Sequence, residues 1–207
     1  AIGANGIKAA KSAIISNGSS LSTISTYPLD VNKIGKVSPK IYADLINSKT
    51  DAIIFTDSPT RGLGFITEEI SVLFKKNQKN TPQFMGLTNW NSTPRILDEP
   101  SLNQGWFVVP DQRFKKKYEA RYTATFGTAP GKMSSLSYDA IALIGGIIKS
   151  RDPEMKTKVF KQKNFTTNNG FIGVNGIFRF GLDGESERSL SIAEVITGNF
   201  RIINNAK

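Results

Sequence analysis

Two short apolar segments are each followed by side chains that could hold a small polar molecule. The first segment is Asp51–Thr56 and the second is Pro82–Gly86. After them come a carboxylate, hydroxyls, amides and one indole: Asp57, Ser58, Thr60, Thr88, Asn89, Trp90 and Asn91. Such groups suit a polar ligand that is held by hydrogen bonds against one aromatic face. The alternative for Trp90, which we weigh equally, is that its ring packs beneath the loop.

Catalysis is a weaker hypothesis than binding, because the 207-residue sequence has no cysteine and no histidine. That composition excludes thiolate nucleophiles, histidine-based triads and zinc sites of the Cys/His type. It also removes the commonest general base near neutral pH. We therefore expect a protein that is not an enzyme and that needs no metal or cofactor.

The sequence carries a net charge of +10, from 27 lysines and arginines against 17 acidic residues. A basic surface could meet an anionic partner such as a nucleic acid, a membrane surface or an acidic cell-wall polymer. It could also simply be solvated, which we favour. The lysines are spread along the chain, most densely at Lys115–Lys117, and no nucleic-acid-binding motif accompanies them. We expect no nucleic acid partner.

The order of the predicted elements favours an α/β fold. Leu21–Tyr27 is rich in β-branched residues and predicts a strand. Ser38 followed by a proline predicts a helix start, and the continuously apolar Asp51–Thr56 predicts a strand that is buried on both faces. A helix pattern and a strand at Pro82–Gly86 follow. This alternation predicts a doubly wound sheet, whose ligands bind beyond the carboxyl ends of its strands.

A loop, a strand and a helix are predicted next. Asn89–Gln104 predicts a long polar loop, and Trp106–Val109 predicts a strand that a proline closes. Asp111 is placed to cap the helix that follows. That helix carries an aromatic stripe at near-helical spacing: Phe114, Tyr118, Tyr122 and Phe126. Stripes of this kind are usually core, so we expect this one to be buried.

The remainder predicts further helices and a β-rich tail. Ile141–Ile148 is an apolar run, too short to cross a bilayer, and it predicts a buried helix. Asp152–Pro153 is the start signal of another helix. Residues 177–203 alternate apolar segments with glycine-containing turns, and this pattern predicts β-hairpins.

Several segments together resemble a known family. They are Asp51–Phe55, Gln83–Gly86, Gly105–Phe107, Tyr118–Tyr122 with Phe126–Gly127 and Pro130, and Ser137–Ala140. In this order and spacing they are similar to type I periplasmic solute-binding proteins, and most to the leucine/isoleucine/valine-binding branch that serves ABC transporters. The resemblance implies a Rossmann-like, two-lobed periplasmic protein that closes on a small polar solute. It also adds Tyr138 to the predicted ligand-binding residues.

The tail resembles a subgroup with the same fold. Gly170–Phe180, Asp183–Gly184 and Arg188–Leu190 look like penicillin-binding-protein activators, which are thought to act on cell-wall synthases. This resemblance implies a second hypothesis, in which the protein activates a peptidoglycan synthase through protein contacts. Either hypothesis implies a periplasmic location, free or as a membrane-anchored lipoprotein.

The resemblance also implies which lobe each part of the chain forms. Residues 1–109 and 185–207 would form the C-terminal lobe, and residues 110–184 would be the returning part of the N-terminal lobe. The opening strands of the family fold have no counterpart here, so we expect a truncated protein or a fragment. Sheet edges and apolar faces that lose their cover in this way should either drive self-association or change their packing.

One departure from the family bears on the ligand. Amino-acid-binding relatives place an acidic residue where this chain has Thr88, and an aromatic residue near the position of Ser58. A buried ammonium group without a charged partner costs on the order of several kcal/mol. Asp57 is the nearby substitute. The ligand is therefore expected to be amino-acid-like or related, rather than an ordinary α-amino acid.

Overall fold

The computed structural model describes residues 2–28, 30–57, 62–92, 94–131, 133–150 and 160–205. The chain divides into two compact units. One comprises residues 1–108 and 192–203, and the other comprises residues 109–191 and 204–207. Each unit combines helices with β-strands.

Helices and strands alternate along the first half of the chain, and strands dominate its end. The helices are α1 (Ile2–Ser16), α2 (Val31–Asn47), α3 (Leu63–Lys76), α4 (Pro94–Leu97), α5 (Lys115–Phe126), α6 (Ser134–Lys149) and α7 (Gln162–Phe165). The strands are β1 (Ala52–Phe55), β2 (Gln83–Gly86), β3 (Trp106–Pro110), β4 (Phe171–Gly173), β5 (Gly176–Phe180), β6 (Ser186–Arg188), β7 (Leu190–Ile196) and β8 (Asn199–Asn204). The predicted long loop at 89–104 instead contains α4 and two 3-10 turns, Thr88–Asn91 and Pro100–Leu102.

The first unit is built on a five-stranded sheet with the strand order β1-β2-β3-β7-β8. The pairs β1–β2 and β2–β3 are parallel. Parallel neighbours require crossover connections, which α3 provides between β1 and β2. The predicted α/β architecture is therefore confirmed.

Helices α2 and α3 supply most of the helical core of the first unit. Their buried apolar residues recur at helical spacing: Ile34, Ile41 and Leu45 in α2, and Leu63, Ile66, Ile70 and Phe74 in α3. The sheet contributes Phe55, Phe84, Phe107, Ala193 and Val195. Full burial of a large apolar side chain stabilises the fold by about 1.5–3 kcal/mol. This core therefore fixes β1 and β2, and with them the start of each following loop.

Helix α2 begins earlier than the sequence predicts. Asp30 is the N-cap, and its carboxylate accepts a hydrogen bond from the backbone N–H of Asn32. Pro39 consequently lies inside the helix, where it removes one backbone donor. Ser38, the predicted cap, is buried and its hydroxyl donates to the carboxylate of Glu69 (3.1 Å). The Ser-Pro signal was wrong because the aspartate cap upstream starts the helix first.

Two strand predictions also need correction. Leu21–Tyr27 belongs to neither sheet, although its residues alternate between half-buried and exposed. β-branched residues favour an extended backbone, but a strand exists only where a neighbour pairs with it. β1 is not buried on both faces, since Ile54 is exposed and Phe55 is buried. The reason is that β1 is the edge strand, next to β2 alone.

The second unit contains an antiparallel three-stranded sheet, β4-β5-β6. The β5–β6 pair confirms a hairpin at the predicted glycine-containing turn, whereas β4 lies before the predicted region and β7 belongs to the five-stranded sheet. The apolar core of the second unit is small: Val109, Ile147, Val174 and Phe178. Gly176 starts β5 with φ +97°, and a Cβ there would lie 2.8 Å from Cβ of Asp111. This close approach is one that only glycine allows.

The apolar helices of the second unit are not buried as predicted. Helix α5 has no buried residue, and Phe126 at the end of its stripe is 64% exposed. In α6 only Ser135, Asp139 and Ile147 are buried, while Ile141 is 71% exposed. Helical periodicity predicts an apolar face that needs cover, but it does not identify the cover.

Asp111 does not cap α5, whose N-cap position is Phe114. The Asp111 carboxylate instead accepts hydrogen bonds from the backbone N–H (2.9 Å) and from Nε (2.7 Å) of Arg113. The side-chain hydrogen bond from Arg113 lowers the pKa of the Asp111 carboxyl, although burial opposes it. The predicted helix start at Asp152–Pro153 lies outside the described residues.

Candidate functional site

The carboxyl ends of β1 and β2 lie side by side, as the sequence predicts. The two strands are in parallel register, with Phe55 opposite Gly86. Asp57 lies two residues after the end of β1, and the 3-10 turn Thr88–Asn91 begins two residues after the end of β2. In an open α/β sheet this edge is where ligands bind.

A hydrogen-bonded cluster joins these two strand ends. Nδ2 of Asn89 donates to the carbonyl oxygen of Asp57 (2.9 Å). The phenol of Tyr27 donates to Oδ2 of Asp57 (3.1 Å). All three residues are half-buried, and we call them the strand-end cluster. The cluster holds both the backbone and the carboxylate of Asp57 in place.

Tyr27 is the member of the strand-end cluster that sequence analysis missed. It is the last residue of the segment predicted as a strand, so the rule about carboxyl ends could have found it. Burial, followed by the charge and the hydrogen bond of Asp57, raises the pKa of the Tyr27 hydroxyl far above its usual value of 10.0. The phenol therefore remains a donor to Asp57 at every physiological pH.

Replacing Tyr27 with phenylalanine should remove a pH dependence of stability in alkali. Above about pH 10 an unfolded chain releases this proton and the folded chain keeps it. The stabilisation is therefore complete below about pH 10 and is lost as the pH rises beyond it. The unfolding free energy of the wild type should fall relative to Tyr27→Phe by up to about 1.4 kcal/mol per pH unit in that range. Urea unfolding of both proteins measures it, and parallel curves would contradict the assignment.

Asn89 carries an acceptor that the described residues leave unsatisfied. Its Oδ1 is buried and has no hydrogen-bond partner among them. A buried polar atom of this kind costs about 1–3 kcal/mol unless something pairs with it. An N–H or O–H group of a ligand would satisfy it. Asn89 is thus the residue of the cluster that points most directly to a bound polar molecule.

Trp90 is 0% exposed and packs beneath its loop, which is the alternative weighed from the sequence. Its ring lies against Gly86, where a Cβ would come 2.1 Å from Cε2 of the indole. The Phe107 ring lies 6.1 Å away, centroid to centroid. Trp90 Nε1 has no hydrogen-bond partner among the described residues. In this structure Trp90 supports the loop and does not present a ring face at the surface.

The other predicted residues of the first unit are placed as follows. Thr88 is exposed at the start of the 3-10 turn. Ser58 and Thr60 lie outside the described residues. Helix α1 packs against this edge, because Oγ1 of Thr56 donates to the carbonyl oxygen of Gly3 (3.1 Å).

Tyr138 belongs to the second unit, where it joins a row of aromatic rings. Its ring centroid lies 5.2 Å from that of Tyr118. The row continues from Tyr118 to Tyr122 (5.9 Å) and from Tyr122 to Phe126 (4.6 Å). These four residues line an open groove of about 700 Å³, which we call the aromatic groove.

The strand-end cluster offers one carboxylate, one amide and one phenol, which is hydrogen-bonding chemistry. No group of three or more acidic, histidine or cysteine side chains in the described ranges could hold a metal ion. Within the same ranges, no helix is long and apolar enough to span a membrane.

Solved structures resemble this chain, whereas comparison with protein families and with curated proteins finds no match. A putative branched-chain amino acid ABC transporter protein from Rhodospirillum rubrum matches with a TM-score of 0.72 and 15% identity, over 95% of this chain and 56% of that chain. The leucine-binding protein LivK of Thermotoga maritima matches with a TM-score of 0.60 and 17% identity, over 93% and 53%. LpoA of Haemophilus influenzae matches with a TM-score of 0.55 and 13% identity, over 88% and 30%.

At such identities the matches establish the fold. The chain spans about half the length of the first two structures. The family resemblance seen in the sequence is confirmed at this level. The chain has the type I periplasmic-binding fold, the Rossmann-like α/β fold of ABC-transporter solute-binding proteins and of LpoA.

Proposed function

We propose that this chain is part of a periplasmic receptor that captures a small polar solute for an ABC transporter. The strand-end cluster carries the proposal, because it places a carboxylate, and an amide oxygen that no described residue pairs with, at the edge where open α/β sheets bind ligands. The fold shared with LivK supports it. In the complete receptor, residues 1–109 and 185–207 would form one lobe and residues 110–184 would form part of the other.

The cluster favours a solute that donates hydrogen bonds. Asn89 offers an acceptor that has no partner in the described part of the chain, and Asp57 adds a negative charge that Tyr27 holds in place. Thr88 offers a hydroxyl where amino-acid-binding relatives carry an acid. These groups suit an amino-acid-like or related molecule with N–H or O–H groups. Ser58 and Thr60 are proposed as further contacts in the loop after β1, and Trp90 as the support beneath the loop after β2.

Thermal unfolding of the complete gene product against amino acids, small peptides, sugars and cell-wall fragments tests the proposal. A ligand at about 100 times its dissociation constant adds about 2.7 kcal/mol of stability, which corresponds to a shift of a few degrees. We expect Asp57→Ala and Asn89→Ala to abolish the shift. Asp51→Asn is the matched control, because Asp51 is exposed and precedes the same strand at its opposite end. A shift that both alanine variants retain would contradict the site.

A second candidate is a regulator of peptidoglycan synthesis with the same fold. The match to LpoA, which is described as a regulator of PBP1A, favours it. The net charge of +10 also suits contact with an acidic partner or cell-wall polymer. A flat response across the ligand panel, together with retention of a peptidoglycan synthase by Asp57→Ala in pull-downs, would favour this candidate over the receptor.

A further inference from the structure

We propose that Asn169 is a site of spontaneous covalent modification, at which the side-chain amide is lost and part of the product is isoaspartate. Asn169 stands directly before Gly170, and the two residues lead into β4. The reaction needs only water and the chain itself. It would therefore occur in a receptor and in a regulator alike.

The reaction is an attack of the chain on its own side chain. The backbone nitrogen of Gly170 bonds to Cγ of Asn169, and the Cγ–Nδ2 bond breaks. Nδ2 takes the proton of the Gly170 N–H and leaves as ammonia, so that a five-membered succinimide ring remains. Water then adds to either ring carbonyl and opens the ring, which gives aspartate or isoaspartate. Glycine favours the attack, because no Cβ shields its nitrogen or restricts its dihedral angles.

Structure decides which Asn-Gly step of this chain reacts, because the sequence contains several. The four steps are Asn5–Gly6, Asn17–Gly18, Asn169–Gly170 and Asn175–Gly176, and all lie in the described residues. Ring closure requires a side-chain amide that is free to turn and a backbone that can leave its starting conformation. Hydrogen bonds and burial oppose both movements, so the four steps should react at different rates in the folded chain.

The step at Asn175 is held at both its side chain and its backbone. Asn175 is half-buried, and its Nδ2 donates to Oγ of Ser135 (2.7 Å). Gly176 is buried at the start of β5, where an added Cβ would lie 2.8 Å from Cβ of Asp111. Ring closure at Asn175 therefore requires local opening of the small sheet.

The two steps near the N-terminus are held by helix α1. Asn5 lies inside α1, and its helical dihedral angles must be abandoned before the next nitrogen can reach its Cγ. Asn17 directly follows α1, and its Nδ2 donates to the carbonyl oxygen of Ala13 (2.8 Å). The N–H of Gly18 donates to the carbonyl oxygen of Ile15 (3.1 Å). Ring closure at either asparagine must first open a turn of the helix.

Asn169 is held least. It is exposed in a turn, and its side chain forms no hydrogen bond with a described residue. The N–H of Gly170 donates to the carbonyl oxygen of Thr167 (3.0 Å), which is a bond within the same turn. The side-chain amide is thus free to turn toward the nitrogen, and neither a helix nor a sheet has to open first.

Modification at this position would act on the start of β4. Gly170 has φ +64°, and an added Cβ would lie 2.5 Å from the carbonyl oxygen of Phe178 on β5. The next residue, Phe171, pairs with Phe178 at the open end of the β4–β5 hairpin. Isoaspartate puts one more carbon into the main chain immediately before this close contact. The pairing of β4 with β5 should therefore loosen at that end.

Peptide mapping of the 207-residue chain tests the proposal after incubation in mildly alkaline buffer, in which hydroxide removes the proton of the glycine N–H. Chymotryptic cleavage after Phe171 separates Asn169 from Asn175, and mass spectrometry detects the exchange of ammonia for water at each step. In the urea-unfolded chain the four steps should react at similar rates. In the folded chain Asn169 should stay within about threefold of its unfolded rate, whereas Asn175 should slow at least about tenfold.

Two results would overturn the assignment: equal protection of Asn169 and Asn175, or a faster reaction at Asn5 or Asn17. Asn169→Gln tests the effect on β4, because glutamine would have to close a larger ring and reacts far more slowly. After the same incubation, the wild type should unfold at a lower urea concentration than before, and Asn169→Gln should not change. An equal loss of stability in Asn169→Gln would show that modification at Asn169 does not loosen β4.

Discussion

Gly86→Ala should lower the unfolding free energy by about 3 kcal/mol, near the upper end of what overpacking a core usually costs. A Cβ at position 86 would lie 2.1 Å from Cε2, 2.2 Å from Cδ2 and 2.4 Å from Nε1 of Trp90. The indole cannot give way easily, because Trp90 is 0% exposed and its ring also neighbours Phe107. Either the ring or β2 must move. Urea unfolding of the variant and the wild type gives the difference.

A matched glycine in the same unit separates this steric effect from a general intolerance of alanine. Gly35 lies inside α2, where the nearest neighbour of an added Cβ is Oε2 of Glu69 at 3.9 Å. Gly35→Ala should be neutral or should stabilise the fold by up to about 1 kcal/mol, since alanine favours helix. The double variant Gly86→Ala/Trp90→Ala should lose less than the sum of its two single variants, because the clash is gone. Additive losses would contradict the steric explanation.

Gly86→Ala should also disturb the strand-end cluster. Trp90 directly follows Asn89 in the 3-10 turn, so a displaced indole shifts the amide that bonds to the Asp57 carbonyl. The variant should therefore lose the thermal response to ligand even at temperatures where it remains folded. Retention of that response would mean that the turn tolerates a moved ring.

Sequence reasoning named two of the three residues of the strand-end cluster, because it looked for polar residues just beyond the carboxyl ends of predicted strands. Asp57 and Asn89 were found as residues that follow apolar segments, and parallel pairing of β1 with β2 brings their loops together. Tyr27 was missed because only the loops after Asp51–Thr56 and Pro82–Gly86 were considered, although Leu21–Tyr27 was also predicted as a strand. The role of Trp90 could not be predicted, because its indole occupies the position that a Cβ of residue 86 would take. The spacing of residues along the sequence gives no information about such a contact.

The second unit shows a different limit of sequence reasoning. The stripe that ends at Phe126 and the apolar run through Ile141 correctly predict helices with apolar faces. The prediction that both faces are buried was wrong. Helical periodicity shows that a face is apolar, but it does not show whether this chain contains residues that cover it. The hairpin turn after β5 was predicted correctly because turn glycines and alternating residues are local signals, whereas the sheet that each later strand joins depends on distant partners.

Asp139→Ala should destabilise the second unit by about 3–5 kcal/mol, because it removes one partner of a buried ion pair. Asp139 is 4% exposed, and its Oδ1 accepts a hydrogen bond from the backbone N–H of Val174 (2.7 Å). Its Oδ2 lies 3.6 Å from Nη1 of Arg188, close enough for charge attraction but without a hydrogen bond. The Arg188 guanidinium lies over the Phe178 ring, 5.0 Å from the centroid. Truncation would leave a buried donor and a largely buried cation without partners.

An exposed ion pair on the β4-β5-β6 sheet is the control for the stability lost in Asp139→Ala. Arg179 and Glu187 are both exposed, so Glu187→Ala should cost less than about 1 kcal/mol. Asp139→Asn keeps the acceptor for Val174 and the side-chain volume but loses the charge, so its cost should lie between those of the two alanine variants. Replacing Arg188 with methionine in the Asp139→Ala background should recover part of the stability, since no unpaired cation then remains. If the control variant costs as much as Asp139→Ala, burial does not strengthen the Asp139–Arg188 pair, and the link from α6 to the small sheet rests on packing alone.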